Sequence, residues 1–116
     1  MFTLCIRYTI NPNKLGDFRS YCAAEQDPIR RSGGKIVGYF LPTDYAGPTN
    51  EAYGIIDFLT LASYEQYRRA LADDPDHKKN AAELTRSGAI VAMNRSIIER
   101  IEDGKTGDPV LAPVAG

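Results

Sequence analysis

Tryptophan is missing from this chain, histidine occurs once, and cysteine occurs only as Cys5 and Cys22. One cysteine falls in a strand-like run and the other in a helical one, a spacing that builds no disulfide framework. Both read as small, partly buried hydrophobes, and no metal is expected, since a zinc site would need further ligands. There is no glycine-rich phosphate loop, which argues against nucleotide phosphates, and no cofactor is expected. The formal charge is −1, and the basic residues lie in scattered pairs such as Arg30-Arg31, Arg68-Arg69 and Lys78-Lys79. A nucleic-acid binder would show a basic stripe, so no nucleic-acid partner is expected. No run approaches the ~18–20 apolar residues that a membrane span requires. The first residues show neither a basic leader nor a cleavable apolar region, so the expected location is cytoplasmic.

What remains is an ordinary globular composition: 116 residues, 43% hydrophobic and 25% charged. A chain of this length forms one domain that buries about two-thirds of its unfolded surface. From Phe2 to Ile10 apolar side chains alternate with Thr3, Cys5, Arg7 and Thr9, a period of two that predicts a strand. Asn11-Pro12 supplies a helix cap followed by proline at the first helical position. Leu15, Phe18 and Cys22 then form an apolar stripe at helical spacing. Pro28 is expected to end or kink this helix. Strands are predicted over residues 35–43 and 51–61, facing each other across the turn 44–50. Gly38 and Gly54 inside them signal a bulge or a close backbone approach.

The next helix is expected to start at Ser63, with Gln66 at capping-box spacing and Tyr64, Tyr67 and Leu71 facing inward. Asp74-Pro75 restarts a helix whose inner face holds Ala81, Leu84 and Ala82, and Gly88 closes it. A fourth strand is expected over 89–101. Residues 103–116 carry little periodicity and read as a C-terminal arm, flexible or laid against a partner. The order is β-α-β-β-α-β. It predicts an α+β, ferredoxin-like domain over residues 1–102, with four antiparallel strands and helices on one face.

Chemistry is harder to find. His77 would have to serve any Ser/His/Asp arrangement, and within Asp74–Lys79 it reads as a surface residue. Arg7 and Asp57 fall centrally in neighbouring strands, where an Arg–Asp contact is plausible. With Tyr53 and Asn94 they are expected to line a cavity between sheet and helices. The bland alternative is a structural ion pair with ordinary aromatic packing.

Several runs together resemble the NIPSNAP family: Tyr8-Thr9-Ile10-Asn11-Pro12-Asn13-Lys14-Leu15, Gly38-Tyr39-Phe40, Gly47-Pro48-Thr49-Asn50-Glu51-Ala52-Tyr53 and Asp74-Pro75-Asp76-His77. The resemblance spans roughly residues 2–102. It implies a domain that pairs into a dimeric α/β barrel, in a superfamily that includes cofactor-free monooxygenases and haem-degrading enzymes. Where such enzymes line their cavities with Asn, Trp, Tyr or His, this chain offers Asn50, Tyr53, His77 and Asn94. Ile56 and His77 stand where related sequences usually carry tryptophan, and Ile6 where they carry arginine.

Burial independently predicts a homodimer. The strands offer apolar residues on both faces (Ile36 and Phe40 against Val37 and Leu41; Ile55 and Leu59 against Ile56 and Phe58), and helices cover only one. Three functional readings remain open: a small-molecule binder, a cofactor-free oxygenase on an aromatic or polyketide-like metabolite, and a ligand-free interaction module. A cavity of roughly 300 Å³ or more with convergent polar groups favours the first two.

Overall fold

The computed structural model describes residues 1–101. The arm at 103–116 lies outside the described residues. Four strands, β1 (Phe2–Ile10), β2 (Lys35–Phe40), β3 (Glu51–Phe58) and β4 (Ile90–Glu99), form one sheet in the order β2-β3-β1-β4. Every neighbouring pair is antiparallel. Three helices, α1 (Leu15–Arg31), α2 (Leu61–Asp73) and α3 (Pro75–Ser87), pack against one face. This is the ferredoxin-like α+β fold that the order of elements predicts, with the second crossover split into two helices.

Alternation in β1 decides which side is the core. Leu4, Ile6, Tyr8 and Ile10 are buried beneath the helices, opposite Ile56, Gly54 and Ala52 of β3. Phe18, Cys22 and Ile29 of α1 and Tyr67 of α2 complete the cluster. Phe58 packs on Tyr67 at 4.8 Å between ring centroids, and Tyr8 meets Phe18 edge-on at 4.9 Å.

The strand glycines behave as their positions suggest. The β2–β3 register shifts between Ile36 and Gly38, so the bulge falls at Val37-Gly38. This bulge changes the assignment of faces. Ile36 pairs with buried Ile56 on the helix side, whereas Phe40 pairs with Tyr53 on the open side. Ile36 and Phe40 therefore do not share a face, and Leu59 lies beyond the end of β3, exposed. At Gly54 an added Cβ would sit 2.9 Å from Cε1 of Tyr39, so glycine is what lets that ring lie on the strand.

Helix boundaries depart from expectation in three places. Asn11 caps a 3-10 turn, Pro12–Lys14, which leads directly into α1. Pro28 does not end α1, which continues to Arg31. The proline removes a single donor in the last turns, and burial of its ring beside Ile29 offsets that loss. α2 begins earlier than Ser63 because Thr60 is the cap. Thr60 Oγ1 accepts from the Ser63 amide at 3.0 Å, and Ser63 Oγ accepts from the Thr60 amide at 3.1 Å. Asp74 and Pro75 start α3 as expected, and Gly88 closes it in the left-handed conformation at φ 72°. Ala82, however, is exposed.

The open face of the sheet is mixed rather than uniformly apolar. Cys5, Ile55, Phe40 and Ile98 share it with charged and polar residues by register. Phe40 remains 49% exposed and Ile98 52% exposed.

Candidate functional site

Between the sheet and the helices lies a cavity of about 410 Å³. Its walls are mostly aliphatic, with Leu4, Ile6 and Ile56 from the strands and Ile29, Leu71 and Leu84 from the helices. Against that background a few polar groups converge. Glu25 sits among the apolar residues of the α1 stripe, almost wholly buried at 1% exposure. Its carboxylate meets His77 Nδ1 at 2.5 Å through Oε2. Oε1 accepts from Asn80 Nδ2 at 3.2 Å, and the Tyr21 hydroxyl donates to Oε2 at 3.4 Å. A buried carboxylate without such donors would be costly, and here each oxygen has one. With Glu25 ionised both of its oxygens accept, from Tyr21, Asn80 and His77, and Nδ1 of His77 is then the protonated ring nitrogen. Nε2 makes no hydrogen bond among the described residues.

Three phenols crowd the same region: Tyr39 lies 6.4 Å from Tyr8 and 6.2 Å from Tyr21, centroid to centroid. Burial pushes Tyr8 up to about 12 and drives Tyr21, Tyr39 and Tyr67 upward as well. These hydroxyls therefore stay protonated, serving as hydrogen-bond donors or acceptors and not as anions. Arg68 and Arg95 also line the cavity, both exposed and neither in an ion pair among the described residues.

The helix that carries His77 is held from its first turn. Asp74 accepts from the amides of Asp76 at 2.9 Å and His77 at 3.2 Å, while Arg31 reaches it at 3.0 Å from α1. Arg31 also bonds Asp76 at 2.8 Å. The Arg31 contact is the main reason that Asp74 titrates below the usual carboxylate range. A depressed carboxylate stabilises the fold above its unfolded pKa, about 3.9, and that stabilisation fades as pH falls below it. Removal of the partner should therefore matter most near neutrality. In Arg31→Ala we expect a Tm deficit at pH 7 that shrinks progressively below about pH 4. A deficit of equal size at pH 7 and pH 3, followed by circular dichroism, would show that the guanidinium acts by packing alone.

Of the candidate site residues Arg7, Asn50, Tyr53, Asp57, His77 and Asn94, only His77 lines this cavity. His77 is partly buried against Glu25 and is not a plain surface histidine. Arg7, Tyr53 and Asn94 are directly paired across β1, β3 and β4 and lie on the open face, opposite in parity to Tyr8 and Ile6. Asp57 shares that face, in register with Thr3. The expectation that these four line the space under the helices is thus corrected. The Arg7–Asp57 contact is also absent. Arg7 approaches Glu51 at 3.9 Å, while Asp57 accepts from Thr3 Oγ1 at 2.7 Å and from Arg100 Nη2 at 2.9 Å. Asn50 immediately precedes β3, its carbonyl accepts from the Ile10 amide at 2.8 Å, and it does not line the cavity.

Arg68 and Arg95 line the cavity without being candidates from sequence, and so does Glu25. Its signal was present: Phe18, Cys22, Glu25 and Ile29 follow one helical stripe, and a carboxylate inside such a stripe demands partners.

Comparison with known proteins places this architecture. The NIPSNAP family model matches residues 3–103. The chain belongs to the NIPSNAP family. Among solved structures it is similar to the protein Atu4242 of Agrobacterium tumefaciens, with 20% identity over 89% of this chain and 96% of that one and a TM-score of 0.77. A NIPSNAP-like domain protein of Burkholderia xenovorans is 22% identical over 97% of this chain and 95% of that one, with a TM-score of 0.73. A Nitrosomonas europaea protein bearing the proposed name antibiotic biosynthesis monooxygenase is 8% identical over 88% of this chain and all (100%) of that one, at TM-score 0.66. At these identities the structural likenesses establish the fold. Among curated proteins none matches the chain. Within this NIPSNAP chain, no helix of the described residues is long and apolar enough to cross a membrane.

Proposed function

We propose that this NIPSNAP protein is a homodimer that binds a small organic molecule in the cavity between sheet and helices. One observation carries the reading: an aliphatic space of about 410 Å³ contains a buried carboxylate–imidazole pair and several phenols. That volume falls in the range of small-molecule sites, and such sites are mostly apolar with a few convergent polar groups. A pure interaction module has no need of a space of this size with a carboxylate buried beside it. Indole, a neutral ring of suitable size, should bind with one molecule per chain in isothermal calorimetry. Failure of indole and of every aromatic probe described below would remove the reading.

The dimer is proposed for the open face, where Ile55, Phe40 and Ile98 need a cover and the interleaved polar residues can pair across a two-fold axis. Light scattering at micromolar concentration should return a dimer, and Ile55→Arg should return a folded monomer. A monomeric wild-type chain would end this part of the proposal.

An enzymatic variant of the reading is a cofactor-free oxygenase acting on an aromatic or polyketide-like metabolite. It is supported by the acid–base pair at the cavity wall. Oxygen consumption with a panel of phenols tests it, and silence across the panel would remove it.

A further inference from the structure

We infer that Glu25 and His77 form a proton-accepting pair for the weakly acidic hydroxyl of an organic carboxylate, whose carboxylate end is held by Arg68 and Arg95. The inference rests on the proposed cavity and specifies what the cavity selects. It starts from the tautomer. With Nδ1 committed to the buried Glu25 carboxylate, Nε2 presents a lone pair, and a lone pair calls for a donor. Transfer of that proton breaks the ligand O–H bond and forms Nε2–H. The ligand becomes an oxyanion, and the resulting imidazolium faces a carboxylate that stabilises it. No electrons change hands and no further reactant is needed.

The groups that face this pair leave it as the site of proton exchange. Tyr21 on α1, Tyr67 on α2, and Tyr8 and Tyr39 on the strands are all held protonated by burial. Tyr8, Tyr39 and Tyr67 can donate hydrogen bonds to the new oxyanion, Tyr21 already donates to Glu25, and none of the four can take the proton. Arg68 and Arg95 remain cationic throughout. Asp74 and Asp76, at the start of α3, are occupied by Arg31.

Charge then selects the other end of the ligand. Arg68 on α2 and Arg95 on β4 come from opposite walls, line the same cavity, and both act electrostatically on the Tyr67 phenol. Neither has a carboxylate partner among the described residues, so a ligand carboxylate would supply the missing one. The same two guanidiniums disfavour an ammonium-bearing ligand. Aliphatic walls between the two polar ends suit a ring or another flat apolar body.

The test uses 4-hydroxy-3-nitrobenzoate, whose phenolate absorbs visible light, with the 116-residue chain. 2-Nitrophenol, which has no carboxylate, and indole serve as controls. Wild-type protein should bind the nitrobenzoate and show about tenfold more phenolate than free probe, at a pH where the free probe is mostly protonated. Arginine alone could favour a phenolate, so the decisive comparison is with His77→Gln and Glu25→Gln. Each should keep the wild-type circular dichroism spectrum, which shows an intact fold, and lose the excess phenolate. Arg68→Ala and Arg95→Ala should weaken the nitrobenzoate by about tenfold or more and leave 2-nitrophenol unchanged.

Excess phenolate that persists in both His77→Gln and Glu25→Gln would overturn the proton-accepting role. Equal weakening of both nitro compounds by the arginine replacements would overturn the carboxylate site. Binding of indole without any binding of the nitrobenzoate would overturn the inference while leaving the cavity reading intact.

Discussion

Phe18→Ala should unfold this domain more readily than any other single truncation in α1, by about 3–5 kcal/mol. The ring is fully buried at 0% exposure and touches Tyr8 edge-on at 4.9 Å, with Tyr21 at 6.1 Å. Two terms add. The lost ring forfeits its transfer free energy, and the neighbouring rings are pinned by other contacts and cannot collapse into the vacated space. A domain of this size has about 5–15 kcal/mol in total, so a loss of this size leaves a marginal protein. Urea denaturation should give a much lower midpoint with an unchanged slope. A loss below about 1 kcal/mol would mean that the cavity beneath Tyr8 and Tyr39 lets the core relax, which would contradict the packing described above.

Phe18 also shows why the core was legible in the sequence. Apolar positions in β1 alternate strictly, those of α1 recur every three or four residues, and both periods follow from backbone geometry alone. The same holds for local signals such as Asp74-Pro75 and Gly88, whose chemistry acts within a few residues. The cavity was less legible because it depends on which face each strand turns to which partner. Arg7 carried the information, since it alternates with Ile6 and Tyr8 and must point away from them. Phe40 did not, because the bulge at Val37-Gly38 inverts the parity that a simple count assigns to it. The His77–Glu25 contact joins positions far apart in the chain, so neither residue alone announces it. A histidine in a helix's first turn looks like surface until the opposing helix is known to bury a carboxylate there.

Gly54→Ala is the second substitution expected to have a large effect, and it acts on stability and cavity together. A Cβ at this position would stand 2.9 Å from Tyr39 Cε1 and 3.3 Å from Cδ1, closer than carbon atoms approach without something moving. Gly54 lies in β3 between β1 and β2, paired with Ile6 on one side and Tyr39 on the other. The backbone on both sides is therefore fixed by ladder bonds, and the ring must yield. Its displacement presses toward Tyr8 and Tyr21, the phenols that share the cavity wall with it. Overpacking of this kind costs about 1–3 kcal/mol. Replacing glycine in a strand recovers roughly 0.5–1 kcal/mol through the unfolded chain, so the net loss is about 0–2.5 kcal/mol. The effect on indole binding should be larger than that stability change suggests, because the displaced ring intrudes directly on the space. Gly54→Ala with Tyr39→Leu should restore much of the stability, since the shorter side chain leaves room for the methyl group. If Gly54→Ala binds indole as the wild type does, Tyr39 does not shape the cavity and the wall must be drawn without it.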